Sequence, residues 1–560
     1  MNEHTATTSR DNSIVLDVQG MRVIVRTDAG EGPVLVDDVS LQLKRGEVIG
    51  LIGESGAGKS TIGLASMGYA RRDCHIVGGH IIFSNVDIRA ITLEERRALR
   101  GPKIAYIAQS AAASFNPAHT LMDQVCEAAI RHGVMGRAEA RTRAIELFRE
   151  LSLPDPETIG FRYPHQVSGG QLQRVMAAMA MVAKPDILIF DEPTTALDVT
   201  TQVECLAAFR KLIRGHGTAA LYITHDLAVV AQIADRVMVL RRGKMIEFGE
   251  TWQILQEPKE EYTRRLVRER VAGHNFVEQS AAADAPILAI DRVSASYPGK
   301  PRVIDDVSLE VRKGDTVAVV GESGSGKSTL ARIITGLLPR EKGDVRYHGA
   351  SLPARLRDRD IDQLRRVQMI YQMPDVALNP QHTLFETIGR PVAFYFNRSK
   401  QEVRARVIEL LRQMDLPDNF ITRKTSELSG GQKQRVSIAR ALAAEPDLII
   451  CDEVTSALDQ LVGEEILRLL KRLQDELGIA YLFITHDLGT VKRVANKVVV
   501  MFHGKVVASG DTAKVFTPPY HPYTELLLSS VPEMRPEWLD EVLARRAAGA
   551  AATAALLRAP

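Results

Sequence analysis

Residues 53–61 read GESGAGKST and residues 321–329 read GESGSGKST. The first follows an apolar run, EVIGLIG (47–53), and precedes a stretch that reads as a helix from Lys59. A GxxxxGK[ST] turn between a buried strand and a helix is a phosphate cradle, because its glycines let backbone N–H groups converge on an anion at a helix N-terminus. The first cradle is Gly53, Glu54, Ser55, Gly56, Ala57, Gly58, Lys59, Ser60 and Thr61. The second is Gly321, Glu322, Ser323, Gly324, Ser325, Gly326, Lys327, Ser328 and Thr329. In this pattern Lys59 and Lys327 supply a point charge to the β- and γ-phosphates, and Ser60 and Ser328 offer a hydroxyl to Mg²⁺.

Working outward from the cradles, the chain contains itself twice. VSGGQLQRV (167–175) returns as LSGGQKQRV (428–436), ILIFDEPTTALD (187–198) as LIICDEVTSALD (448–459), and YITHDL (222–227) as FITHDL (483–488). Asp191 to Asp452 and His225 to His486 are both 261 apart, and Lys59 to Lys327 is 268 apart. The spacing is far too long for a solenoid and fits a duplicated domain with a few insertions. The expected organisation is a first domain over 1–270, a linker over 271–286, a second domain over 287–545 and a flexible, Ala-rich tail over 546–560.

Composition agrees with a chain of several compact units. Its 560 residues carry 71 Lys+Arg against 69 Asp+Glu, a net +2, with 45% hydrophobic and 25% charged residues. These values exclude disordered, collagen-like and integral-membrane classes and give no electrostatic reason to expect nucleic acid. No run of about 20 apolar residues and no signal-peptide pattern occurs, so the chain is expected to stay inside the cell. Cys74, Cys126, Cys205 and Cys451 are too scattered for a metal or disulfide framework.

Each copy reads as α/β. DILIF (186–190) is an apolar run bounded by turn residues, as expected of a strand buried on both faces of a parallel sheet. In EVRARVIELLRQM (402–414), Val403, Val407, Leu410, Leu411 and Met414 recur at helical spacing and predict an amphipathic helix of a separate subdomain. The pairs Asp191-Glu192 and Asp452-Glu453 come directly after buried strands, at the sheet edge where ligands of parallel sheets bind. An Asp-Glu pair by itself is usually a solvated surface pair, and the strand before it together with the cradle upstream reverses that reading. Asp191 and Asp452 would orient Mg²⁺ through its water shell, and Glu192 and Glu453 would polarise an attacking water.

The strings SGGQxQR, DE-x-T-[TS]-ALD and THDL, in this order behind a phosphate cradle, resemble the nucleotide-binding domain of ATP-binding cassette (ABC) transporters. The likeness covers roughly residues 13–270 and 287–530. It implies two P-loop NTPase domains in tandem, each with a RecA-like α/β core, an antiparallel β subdomain and an α-helical subdomain. It implies ATP hydrolysis with Mg²⁺ at two composite sites formed head to tail. One would use Lys59, Asp191, Glu192 and His225 with Ser429, Gly430, Gly431 and Gln432. The other would use Lys327, Asp452, Glu453 and His486 with Ser168, Gly169, Gly170 and Gln171. On the same resemblance, His225 and His486 are switch histidines that contact the γ-phosphate, Gln109 and Gln372 sense Mg²⁺ from the Q-loop, and Asp198 and Asp459 are D-loop aspartates. Such domains stack adenine on an aromatic residue. Tyr297 fits that role, but the first copy has Val25 there, which predicts weaker nucleotide binding at the first site.

SFNP (114–117), ALNP (377–380) and TPPYHPYTELLLSSVP (517–532) resemble the oligopeptide/dipeptide/nickel class of bacterial importers; the first copy keeps a reduced counterpart, EPKEEYTRRL. That class implies import of a small solute, foremost di- and oligopeptides. The partners it implies are two transmembrane permease subunits and, through them, an extracytoplasmic substrate-binding protein. It places the chain peripherally on the cytoplasmic face of the bacterial inner membrane, in membrane contact through the permeases alone and without nucleic acid. Many members of the class hold an iron–sulfur cluster on clustered cysteines after this segment; no cysteine follows Cys451, so no cluster is expected. The rival is a soluble tandem ABC translation factor acting on ribosomes, and the short linker without Lys or Arg argues against it.

Overall fold

The strand Val48–Gly53 is buried at every position, and it runs parallel to a neighbour on each side. A strand so placed needs cover on both faces, which explains its unbroken apolar run. The computed structural model describes residues 13–27, 30–71, 73–195, 197–271, 285–456 and 458–557. These divide into two compact units. One comprises residues up to Leu197, Thr201–Arg268 and those from Pro532 onward; the other comprises Asp198–Thr200 and Glu269–Val531. Most of the expected linker lies outside the described residues.

In the first unit a six-stranded sheet has the order Lys244–Glu250, Arg236–Arg241, Val48–Gly53, Ala219–Ile223, Ile187–Asp191, Ile104–Ile107. All neighbours are parallel except the first pair, which is a hairpin. A separate antiparallel sheet joins Gly30–Lys44, Ile14–Thr27, Cys74–Phe83 and Val86–Asp87. A helical lobe holds Leu121–Arg131, Arg137–Glu150 and Gly169–Met181, with Leu121, Val125, Leu147, Phe148 and Val175 fully buried within it.

The second unit repeats this plan. Its six-stranded sheet has the order Val367–Ile370, Leu448–Asp452, Ala480–Ile484, Thr316–Val320, Lys497–Phe502, Lys505–Asp511, and its antiparallel sheet joins Arg302–Val311, Leu288–Ser296, Lys342–Tyr347 and Ala350–Ser351. The helix expected over 402–414 spans Lys400–Gln413. Val403, Val407, Leu410 and Leu411 form its buried face, and Met414 closes it as the C-cap. Each unit therefore has the α/β core, antiparallel β subdomain and helical subdomain expected of it.

The end of the chain departs from expectation. The sequence places residues to 545 in the second domain and predicts a flexible tail over 546–560, yet a helix runs over Trp538–Leu557 as part of the first unit. Trp538, Leu539 and Val542 are at most 2% exposed and join the core that holds Phe209, Ile213 and Ile233. Gln232 Nε2 donates to the carbonyls of Glu533 and Arg535 at 2.7 and 2.9 Å, and its Oε1 accepts from Leu539 N at 3.0 Å. Burial of the indole beside a buried glutamine that saturates the incoming backbone explains the difference.

Candidate functional site

In each unit the central strand turns sharply into a helix, Lys59–Ser66 in the first and Lys327–Ile334 in the second. The residue before each helix is a glycine in the left-handed region, Gly58 at φ 94° and Gly326 at φ 103°. A Cβ at Gly58 would stand 2.7 Å from the carbonyl oxygen of Leu35, so both backbone angle and space demand glycine there. Lys59 Nζ folds back over the loop and donates to the carbonyls of Gly53 and Glu54 at 2.6 and 3.0 Å. Lys327 does the same to Gly321 and Glu322 at 2.8 and 2.7 Å. Burial lowers the Lys327 pKa, opposed by the surrounding carboxylates.

The Asp-Glu pairs meet these loops at the ends of the neighbouring strands. Ser60 Oγ donates to Asp191 Oδ1 at 2.7 Å, and Ser328 Oγ to Asp452 Oδ1 at 3.1 Å. Burial and the adjacent Glu453 raise the Asp452 pKa. Glu192 accepts from Gln109 Nε2 at 3.1 Å and from Thr195 Oγ1 at 3.3 Å, and lies 3.4 Å from His225 Nδ1. Glu453 accepts from Gln372 Nε2 at 2.6 Å and pairs with His486 Nδ1 at 3.2 Å. Burial pushes both glutamates upward, but the histidine beside each, with the cradle lysine, outweighs it and holds them below the ordinary range. Burial depresses the two histidines, and their glutamates raise them above the ordinary value.

Glu192 and Glu453 both sit in the left-handed region, at φ 49° and 51°. A non-glycine residue there carries strain of the order of 1–3 kcal/mol, which the flanking strands must over-determine. The same geometry recurs in both copies on one residue after the strand end, so it belongs to the site.

The structure thus brings Lys, Ser, Asp, Glu, His and Gln of each copy together. It places the other predicted residues nearby or apart. Tyr297 lies beside the second cradle, its Oη 3.4 Å from Thr329 Oγ1 and accepting from Arg332 Nη1 at 2.9 Å. Val25 is its counterpart: Leu16 and Leu288 pair equivalently in their sheets, and each lies nine residues earlier. The SGGQ signature strings, Ser168, Gly169, Gly170, Gln171 and Ser429, Gly430, Gly431, Gln432, start the helices Gly169–Met181 and Gly430–Leu442, outside the cluster of their own unit. Ser168 Oγ accepts from Gln171 N at 3.3 Å while Gln171 Oε1 accepts from Ser168 N at 3.1 Å, a reciprocal cap that Ser429 and Gln432 repeat. Asp459 caps the helix Gln460–Leu477 by accepting from Val462 N at 3.0 Å, and Asp198 accepts from Thr200 Oγ1 at 2.7 Å.

Tyr106 was not anticipated. It lies on the strand next to Ile187–Asp191, and its phenol donates to the second oxygen of Asp191, which together with burial raises its own pKa. Its counterpart by register is Met369, since Tyr106 pairs with Ile189 and Met369 with Ile450. An aromatic inside the run KIAYIA (103–108) was the signal available in the sequence.

Such a cluster can hold a triphosphate with its hard cation and poise a water between a carboxylate and an imidazole. Comparison with known proteins agrees. The family described as ABC transporter matches residues 36–195 and 304–456, and the oligopeptide/dipeptide transporter C-terminal region matches 507–555. A glutathione import ATP-binding protein of Pectobacterium atrosepticum is 36% identical over 94% of this chain and 89% of its own length. Its counterpart in Escherichia coli K12 is 35% identical over 94% and 91%, and a peptidoglycan transport ATP-binding protein of Agrobacterium fabrum is 39% identical over 90% and 93%. The chain belongs to the ABC transporter family, as a fused tandem ATP-binding subunit of an importer of the oligopeptide/dipeptide class.

Proposed function

We propose that each copy binds MgATP in its cradle and hydrolyses it with Glu192 or Glu453 as general base, powering import of di- or oligopeptides through two partner permeases. The observation that carries this reading is the repeated cluster in which the cradle lysine and serine, the Asp-Glu pair, the glutamine and the histidine converge at one sheet edge. Lys59 and Lys327 exchange their contacts with loop carbonyls for the β- and γ-phosphates. Ser60 with Asp191, and Ser328 with Asp452, are oxygen-only donor pairs, which suit a hard cation that draws its other ligands from water and phosphate. Bound Mg²⁺ would neutralise charge building on the transferring phosphoryl group. Glu192 and Glu453, held ionised by the histidine and lysine beside each, take the proton of the attacking water. His225 and His486, tethered through Nδ1, offer their other ring nitrogen to the γ-phosphate. Gln109 and Gln372, now on the glutamates, report whether the metal site is filled.

The signature residues complete the sites in this proposal: Ser168 and Ser429 use their oxygens to cap their own helices, which leaves each O–H proton to donate to a phosphate. The import partners follow from the class: two different transmembrane permeases and an extracytoplasmic binding protein. No described helix is long and apolar enough to cross a membrane, which fits a subunit held peripherally at the cytoplasmic face of the inner membrane by those permeases. The names of the relatives support peptides, glutathione among them, as cargo.

The test is the double variant Glu192→Gln, Glu453→Gln in the full chain. Loss of a positioned general base costs about 10²–10⁴ in rate. Phosphate release should fall by that factor while ATP binding persists, and uptake of a labelled peptide by cells should stop. Hydrolysis within tenfold of the parent would overturn the assignment of the base.

A further inference from the structure

The C-terminal segment that marks the importer class touches the phosphate cradle itself. Tyr523, in the segment HPYT, is 3% exposed and packs its ring against Phe502, with centroids 4.3 Å apart. Its Oη accepts from the backbone N–H of Glu322 at 2.9 Å. Glu322 is the second residue of the cradle, and its carbonyl is one of the two that hold Lys327 Nζ. The loop is thus tied to the helix Pro522–Ser529 on one side and to its own lysine on the other.

The first unit keeps the tyrosine although the surrounding sequence has diverged, but not the hydrogen bond: the buried Tyr262 Oη has no hydrogen-bond partner among the described residues. Tyr262 lies 261 residues before Tyr523, the offset of the Asp-Glu pairs, and the Tyr-Thr dipeptide survives where His521-Pro522 has become Glu260-Glu261. Tyr262 is 8% exposed, with the Arg241 guanidinium 4.8 Å above its ring. Burial and the neighbouring Glu54 push its phenol pKa up. Thr263 and Thr524, the next residues, are both buried.

We infer that Tyr523 is a positioning residue that keeps the second phosphate cradle in its binding shape. The inference rests on the reading of these loops as nucleotide sites. Its physical reason is an exchange of restraints. When the lysine swings to the phosphates it releases the two loop carbonyls, so the loop loses the restraint that shapes it without ligand. The bond from Glu322 N–H to Tyr523 does not depend on that lysine and persists through the exchange. Removing it leaves the loop to be ordered at the expense of ATP binding.

The test uses the full chain with Tyr523→Phe, which keeps the ring and its packing and removes the acceptor. A Lys59→Met background silences the first site, so equilibrium binding of a fluorescent ATP analogue reports the second. A neutral hydrogen bond of this kind corresponds to about three- to tenfold in affinity. The analogue should bind that much more weakly, and the KM for ATP should rise while kcat stays within about twofold, with the nucleotide-free melting temperature unchanged. An affinity loss under twofold, or a melting temperature lowered without nucleotide, would overturn the inference. Persistent analogue binding at both sites in the Lys59→Met, Lys327→Met double variant would instead overturn the reading of the cradles, and the two failures are distinguishable.

Discussion

In the first cassette Tyr106 donates to Asp191 and Val25 holds the strand position of Tyr297; in the second, Met369 and Tyr297 occupy those places. Each copy has thus kept an aromatic that the other lacks. The second Asp is bonded on one oxygen by Ser328, and burial with Glu453 raises its pKa; the first is held on both oxygens, by Ser60 and Tyr106. Around Tyr297 the change is concerted, because Arg332, which holds its hydroxyl, corresponds to Leu64 in the first copy. The lesson is that duplication left the cradle lysine and serine, the Asp-Glu pair, the glutamine and the histidine identical and let the aromatic residues around them diverge. The units differ in their cores as well, since the last helix of the chain completes the core of the first.

That last difference offers the largest effect. Truncating a fully buried large aromatic costs about 3–5 kcal/mol through lost burial and the cavity left behind. Trp538→Ala should therefore lower the calorimetric unfolding transition of the first unit by that amount and leave the transition of the second in place. Unchanged unfolding of both units would break the comparison. Smaller is the effect of exchanging the aromatic grip. Base stacking on a tyrosine corresponds to about 0.5–1.5 kcal/mol, so Tyr297→Val should weaken ATP binding at the second site about two- to tenfold, and Val25→Tyr should strengthen it at the first. Calorimetric titration of each variant reads both changes. Equal affinities at the two sites of the parent chain would remove the asymmetry.

Much of this was legible in the sequence because its signals are local. Cradle, signature and Asp-Glu pairs are short strings whose spacing fixes which backbone groups converge, and their recurrence at offsets of 261 and 268 shows two copies. The helix around Val407 was legible from its periodicity. What could not be read depends on which strands lie side by side. Tyr106 reaches Asp191 because Ile104–Ile107 is the neighbour of Ile187–Asp191, and no spacing in the chain encodes that adjacency. The left-handed backbone of Glu192 and Glu453 is likewise set by the strands around it and not by the residue type, which disfavours it. The tail misled by composition: AAGAAATAALLRAP looks like low complexity, yet alanine is the strongest helix former. Trp538, Leu539 and Val542, adjacent and one helical turn apart, were the cue that an apolar face precedes it.

The smallest effect tests what the cassettes share. Each histidine is raised above its ordinary 6.5 by its glutamate, against burial, so its contribution to stability is fully present below pH 6.5 and is lost as pH rises through the higher folded value. Each glutamate is held below its ordinary 4.5, so its contribution is present above pH 4.5 and is lost as pH falls through the lower folded value. The ion pair is therefore complete between these ordinary values and fades on both sides. Glu192→Gln and Glu453→Gln remove it, so the gap in melting temperature between parent and each variant should be widest near pH 5 to 6 and narrow as pH climbs past 6.5. The narrowing should be the same for both variants, because the two pairs have the same partners and the same direction of shift. A gap that narrows for one variant and stays constant for the other would show that the divergence at the rim of these sites has reached the groups that handle the proton.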